Sequence, residues 1–209
     1  MRAGISIGCL LLLAASPARG QTFLEEFSYD GLRFTGVGVE AGAVFSNSIT
    51  TELIGGLRAD LGVIAPRVRV VVGGSYFKGS FKPDRIARFE QRLQEVLTSC
   101  ACDSLSIGNI TQSNIELFLA LQYLFPSLGR VQAYAGAGFS AHIRNGDGAV
   151  IKDTFVEDAL DTVAAGLDGS VGLEVGVIRG VAVLAELRGV LTSELQSLSA
   201  RGGLMFRFP

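Results

Sequence analysis

Ser140 and His142, in the stretch GFSAHIR, are separated by a single residue, so in an extended chain both side chains project from the same face. A serine beside an imidazole is the pairing of a nucleophile with its general base, and His142 is the one histidine of the chain. No acid is placed by spacing to orient that imidazole, and a solvated histidine at the end of a strand is the competing reading. A second chemistry rests on Cys100 and Cys102, in C-x-C spacing. They could close a small disulfide, join another chain or stay free; with only His142 as a third ligand they make a weak metal site. Asp147, Asp153, Glu157, Asp158 and Asp161 form an acidic stretch whose spacing does not match an EF-hand loop, so it reads as a solvated face. These residues lead to an expectation of no catalytic residue, no metal and no cofactor.

The elements that would position them are written in the distribution of hydrophobicity. Arg2 precedes an apolar run from Ile5 to Ala15 that ends in Ala18-Arg19-Gly20, the pattern of a secretory signal peptide over residues 1–20. That places the remaining chain in an oxidising compartment, with Cys9 lost in the leader. No later stretch reaches the ~18 unbroken apolar residues of a helical span. The 209 residues suit one domain, and 18 Lys and Arg against 20 Asp and Glu, with no basic tract, argue against a nucleic-acid partner. Yet hydrophobic residues make up 48% of the chain. A sequence that is apolar overall but never apolar for long must spread that character by alternation.

At period two the chain resolves into eight segments: FTGVGVEAGAVF, LIGGLRADLGVI, RVRVVVGGSYFK, IELFLALQYLF, VQAYAGAGFSAH, LDGSVGLEVGV, AVLAELRGVL and SARGGLMFRF. In each, one parity is a coat of Val, Leu, Ala and Phe. The other collects the charges: Glu40, Arg58, Asp60, Arg69, Glu116, Asp168, Glu174, Glu186, Arg188, Arg201 and Arg207. The last segment shows the division plainly, with Leu204, Phe206 and Phe208 opposite Arg201 and Arg207. The links alternate too. Ala65-Pro66, PSLGR and IRG are tight turns, whereas residues 79–112 and 143–165 are long loops. Behind Pro83-Asp84, the spacing of Ile86, Phe89, Leu93 and Val96 or Leu97 predicts a short amphipathic helix in the first of these long loops.

Which parity faces inward decides the class. A soluble barrel would bury the apolar parity, but here the charged parity also carries most of the glycines, which suits a narrow lumen where long Arg and Glu side chains cross the axis. A charge facing hydrocarbon at mid-depth costs about 2–4 kcal/mol, and unpaired backbone in hydrocarbon forces the sheet to close. The expected fold is therefore all-β: an eight-stranded antiparallel up-and-down transmembrane barrel, charges inside and Leu204, Phe206 and Phe208 towards lipid. The inward charges, six acids against five bases, form a network across a closed lumen or line a fine conducting path.

This pattern resembles the eight-stranded bacterial outer-membrane barrels of the OmpA/OmpX type over residues 34–208, on the leader, the alternation, the turn–loop asymmetry and the aromatic final strand GGLMFRF. The resemblance implies a periplasmic lead over 21–33, a barrel over 34–209, outer-membrane lipid and the barrel-assembly machinery as partners, and a monomer. In that family the machinery reads a terminal aromatic; here Pro209 follows Phe208. No peptidoglycan-binding domain is expected after the barrel. It further implies a non-enzymatic structural or narrow-pore, porin-like protein of the cell envelope. The alternatives are a surface adhesion or ligand-binding module working through loops 79–112 and 143–165, and a lipid A-modifying enzyme built on Ser140 and His142.

Overall fold

The computed structural model describes residues 27–96, 110–147, 162–192 and 196–208. Eight strands, β1 (Leu32–Ser46), β2 (Glu52–Ala65), β3 (Val68–Ser80), β4 (Thr111–Leu124), β5 (Val131–Asp147), β6 (Thr162–Ile178), β7 (Val181–Thr192) and β8 (Gln196–Arg207), pair each with the next. β8 returns to β1, from Gly36↔Arg207 to Ser46↔Ser197, so the sheet closes into a barrel without an edge. The helix α1 (Pro83–Val96) follows β3. Pro83 stands at its first position, Asp84 in its first turn, and the Arg85 amide donates to Lys82 O at 2.9 Å. Among the described residues no helix is long and apolar enough to cross a membrane.

The tight connections lie at one end, the turn end. β2 and β3 are joined through Pro66-Arg67, with Arg67 at φ 66°, and β6 and β7 through Arg179-Gly180, with Gly180 at φ 80°. A left-handed residue lets a two-residue connection follow the twist of its strands, and glycine adopts it without strain. Aromatic side chains gather outside this end: Phe34 stacks on Phe208 with ring centroids 5.3 Å apart, and Tyr123 meets Phe125 edge-on at 5.4 Å. The Phe208 amide still donates to Thr35 O at 2.8 Å, so the aromatic end of the chain is held to β1 just beyond the last residue of β8.

The alternation appears as a two-faced wall. Leu57, Leu119, Leu173 and Leu187 are exposed on the outer face, with Leu204, Phe206 and Phe208 beside them, while Glu40, Arg58, Glu116 and Glu186 are buried on the inner one. The long loops are shorter than the sequence predicts. The ladder continues through Ser80↔Thr111, Thr111↔Asp147 and Arg144↔Thr162, leaving 81–110 and 148–161 as connections in place of 79–112 and 143–165. Polar residues there read as loop, but beyond an apolar belt a strand has no need of an apolar face. β1 begins at Leu32 and so takes in the last two residues of the expected lead. The leader, residues 21–26 of that lead, Cys100, Cys102, the acids from Asp153 to Asp161 and Pro209 lie outside the described residues.

Candidate functional site

The candidate site is the interior of the barrel, where alternate residues of all eight strands converge. At mid-height, Arg58 on β2 donates from Nε to Glu40 Oε2 at 2.8 Å, and its Nη2 lies 2.5 Å from the same oxygen and 2.9 Å from Glu186 Oε1. Arg201 on β8 joins two acids, with Nη1 donating to Glu40 Oε1 at 2.8 Å and Nη2 to Glu116 Oε2 at 2.9 Å. Arg188 on β7 donates from Nε to Glu186 Oε1 at 3.0 Å, and its guanidinium carbon lies 3.6 Å from the centroid of the Phe118 ring. The Tyr134 hydroxyl donates to Glu186 Oε2 at 2.9 Å. Tyr134 fits because Gly172 faces it: a Cβ there would lie 2.5 Å from Cζ of the ring.

Towards the turn end, Arg69 donates to Gln122 Oε1 and to Glu174 Oε1, both at 2.6 Å from Nη2, and its Nη1 reaches Asp60 Oδ2 at 3.3 Å. Arg207 pairs with Asp60 at 3.1 Å and also with Glu174. Below this layer a cavity of about 690 Å³ opens at the turn end, bordered by Arg33, Gln132 and Arg207. At the loop end the interior is sealed differently. Val44, Ile54 and Phe77 point inward and pack with Ile49, none more than 5% exposed. Alternation alone places apolar side chains on the outer wall and so does not predict this plug; its signal in the sequence is the place of Val44, Ile54 and Phe77 on the charge-bearing parity.

Ser140, His142 and Asp168 occupy the level between the plug and the mid-height network. His142 is 2% exposed, which corrects the expectation of a solvated histidine at a strand end: β5 runs on to Asp147 and β6 begins at Thr162, so the ring stands well inside the wall. The Ser140 hydroxyl lies 2.9 Å from His142 Nε2 and 3.1 Å from Asp168 Oδ1, and Asn114 Nδ2 is 3.3 Å from His142 Nδ1. An acid does stand in this group, supplied by register. Gly138↔Asp168 and Ser140↔Gly166 set Asp168 next to Ser140 across β5 and β6, and Glu116 faces His142 directly across β4 and β5. For acyl chemistry the geometry is half complete: hydroxyl and imidazole are in contact, but both are buried within the barrel wall.

Solved structures with the same architecture include Neisserial surface protein A (TM-score 0.56, 14% identity, covering 83% of this chain and 97% of that one). OprG from Pseudomonas aeruginosa aligns with TM-score 0.52 at 13% identity, over 85% of this chain and 98% of its own. A major outer membrane protein from Thermus thermophilus gives 0.52 at 12%, over 83% and 99%. The chain has the fold of the eight-stranded outer-membrane β-barrels. No protein-family model matches the sequence, and no curated protein matches it significantly. An outer-membrane barrel of eight strands has an interior just wide enough for side chains to fill, and here arginines, carboxylates, Tyr134 and Phe118 fill it.

Proposed function

We propose that the protein is an integral outer-membrane barrel with a closed lumen: a structural, non-enzymatic element of the envelope that holds its long loops at the cell surface. The observation that carries this reading is the inversion of the wall, with exposed leucines and phenylalanines outside and a buried, ion-paired interior. Strands of 12 to 17 residues exceed the ~9–11 that a tilted strand needs to cross hydrocarbon. Every strand is paired on both sides, as a medium without water demands. The turn end then faces the periplasm and the loop end the exterior. Outer-membrane lipid and the barrel-assembly machinery are the implied partners, and the protein works as a monomer.

Between the narrow-pore and closed forms of this reading, the stacking of barriers favours the closed one. Arg58, Arg188 and Arg201 cross the axis at mid-height, and the plug of Val44, Ile49, Ile54 and Phe77 lies above them. The test is reconstitution of the folded chain in planar bilayers together with extraction from membranes. The expected result is a detergent-requiring protein whose unboiled and boiled forms migrate differently and which passes no steady ionic current. Reproducible conductance steps would overturn the closed lumen; a water-soluble monomer would overturn the membrane reading altogether.

A further inference from the structure

Among the described residues, the lumen acids Glu40, Asp60, Glu116, Glu174 and Glu186 each have an arginine partner. Asp168 has none. Its Oδ1 accepts the Ser140 hydroxyl, while its Oδ2 has no hydrogen-bond partner, although the residue is only 7% exposed. A buried carboxylate oxygen left unmatched is costly, so such an atom calls for a counter-charge. The groups around it are those that hold metals. One ligand atom each from Glu116, His142 and Asp168 lie within 4.8 Å of one another, all three residues being buried.

We propose that Glu116, His142 and Asp168 bind a divalent transition-metal cation, for which zinc is the best match, within the barrel near its loop end. An imidazole with two carboxylates is a donor set that zinc accepts at ~2.0–2.2 Å, leaving a fourth position for solvent or the Ser140 hydroxyl. Asp168 brings one negative charge that no arginine matches, and Glu116 brings a second that it shares with Arg201, so the charge of the dication is offset in part. The carboxylate of Glu116 is already divided for this task. Its Oε2 takes Arg201 and Ser75, whereas Oε1 makes no hydrogen bond, and the nearest Arg188 nitrogen is 3.8 Å away. Arg188 and Arg201 oppose a cation here, which makes a micromolar site the expectation rather than a picomolar one.

Asn114 supplies what a metal-bound histidine needs on its other nitrogen. Its Oδ1 has no hydrogen-bond partner, and its amide nitrogen faces His142 Nδ1. A half-turn of that amide puts Oδ1 against Nδ1–H, satisfies the orphan oxygen and leaves the Nε2 lone pair directed at the Ser140–Asp168 side. The site would tie β4, β5 and β6 together above the mid-height network, adding stability only when metal is bound.

The experiment uses the tag-free folded chain in detergent micelles, stripped by a chelator and titrated with zinc chloride by calorimetry, with thermal unfolding followed with and without zinc. The expected result is one saturable site per chain and a higher Tm in zinc. Asp168→Asn and His142→Gln each weaken binding by about tenfold or more while keeping the heat-modifiable mobility of a closed barrel. A Cys100→Ser/Cys102→Ser variant binds as the parent does. No saturable binding up to ~1 mM free zinc, unchanged binding in Asp168→Asn, or loss of binding in the cysteine variant would overturn the proposal. Should the lumen variants fail to fold, cobalt added to the parent protein decides: tetrahedral visible bands without a thiolate charge-transfer band support the site, and a thiolate band or octahedral spectrum overturns it.

Discussion

Arg58 and Glu40 meet at the centre of the barrel, with Nε and Nη2 of the guanidinium both on Oε2 of the carboxylate, at 2.8 and 2.5 Å, and neither residue more than 5% exposed. The other oxygen of Glu40 takes Arg201, so one carboxylate bridges two crossing arginines, whose remaining charge is met by Glu186 and Glu116. Removing one partner of a buried pair leaves the other charge uncompensated, at a cost of about 3–5 kcal/mol. Glu40→Gln is expected to destabilise the barrel by roughly that amount, seen as a lower urea midpoint in phospholipid vesicles with unfolding read by gel mobility. A stability equal to the parent's would show that water or Glu186 already screens Arg58, against a dry lumen.

Much of this arrangement was legible in advance, for a physical reason. An apolar solvent outside and a crowded axis inside punish any residue on the wrong parity, so the alternation marks all eight strands; β7, for instance, runs from Val181 where the pattern starts at Ala182. Strand ends were less legible. Arg144, Asn145 and Gly146 look like a turn yet extend β5, because outside the apolar belt nothing selects for alternation. Parity could name Glu116, His142 and Asp168 individually but could not join them. Their meeting depends on the register Glu116↔His142 and Gly138↔Asp168, which is set by the stagger of the closed sheet rather than by spacing along any one strand.

The outer wall makes a depth-dependent prediction. Leu187 lies on β7 between Glu186 and Arg188, at the level of the central network, and is exposed; Leu53 is exposed too, but stands at the loop end of β2. If hydrocarbon surrounds the barrel, Leu187→Arg costs about 2–4 kcal/mol and Leu53→Arg about 0–1 kcal/mol. Folding equilibria in vesicles of the two variants measure the difference. Equal and negligible effects would place water on both sides of the wall.

The contact between Gly172 and Tyr134 tests how tightly the interior is filled. A Cβ on Gly172 would lie 2.5 Å from Tyr134 Cζ and closer still to the hydroxyl oxygen, so the ring must shift and strain its bond to Glu186. Overpacking of this kind costs about 1–3 kcal/mol. Gly172→Ala is expected to fall in that range in the parent and to cost measurably less in a Tyr134→Leu background, where the ring is gone. Additive effects of the two substitutions would instead locate the strain in the backbone, where the same Cβ comes 2.8 Å from Ala185 O.

At the turn between β2 and β3, Pro66 is followed by Arg67 at φ 66°. A proline then a left-handed residue is the sequence order of a type II turn, whose third position favours glycine because a Cβ there crowds the backbone. The left-handed conformation costs a non-glycine residue about 1–2 kcal/mol, and glycine gives part of that back through the greater freedom of its unfolded chain. Arg67→Gly is therefore expected to stabilise the folded barrel by about 1 kcal/mol or less, detectable as a higher urea midpoint with the slope unchanged. The Arg67 carbonyl also accepts the Leu124 amide at 2.7 Å, a bond the substitution keeps, so the gain comes from backbone strain alone. A lower midpoint would mean that the Arg67 side chain contributes more at the turn end than its backbone conformation costs.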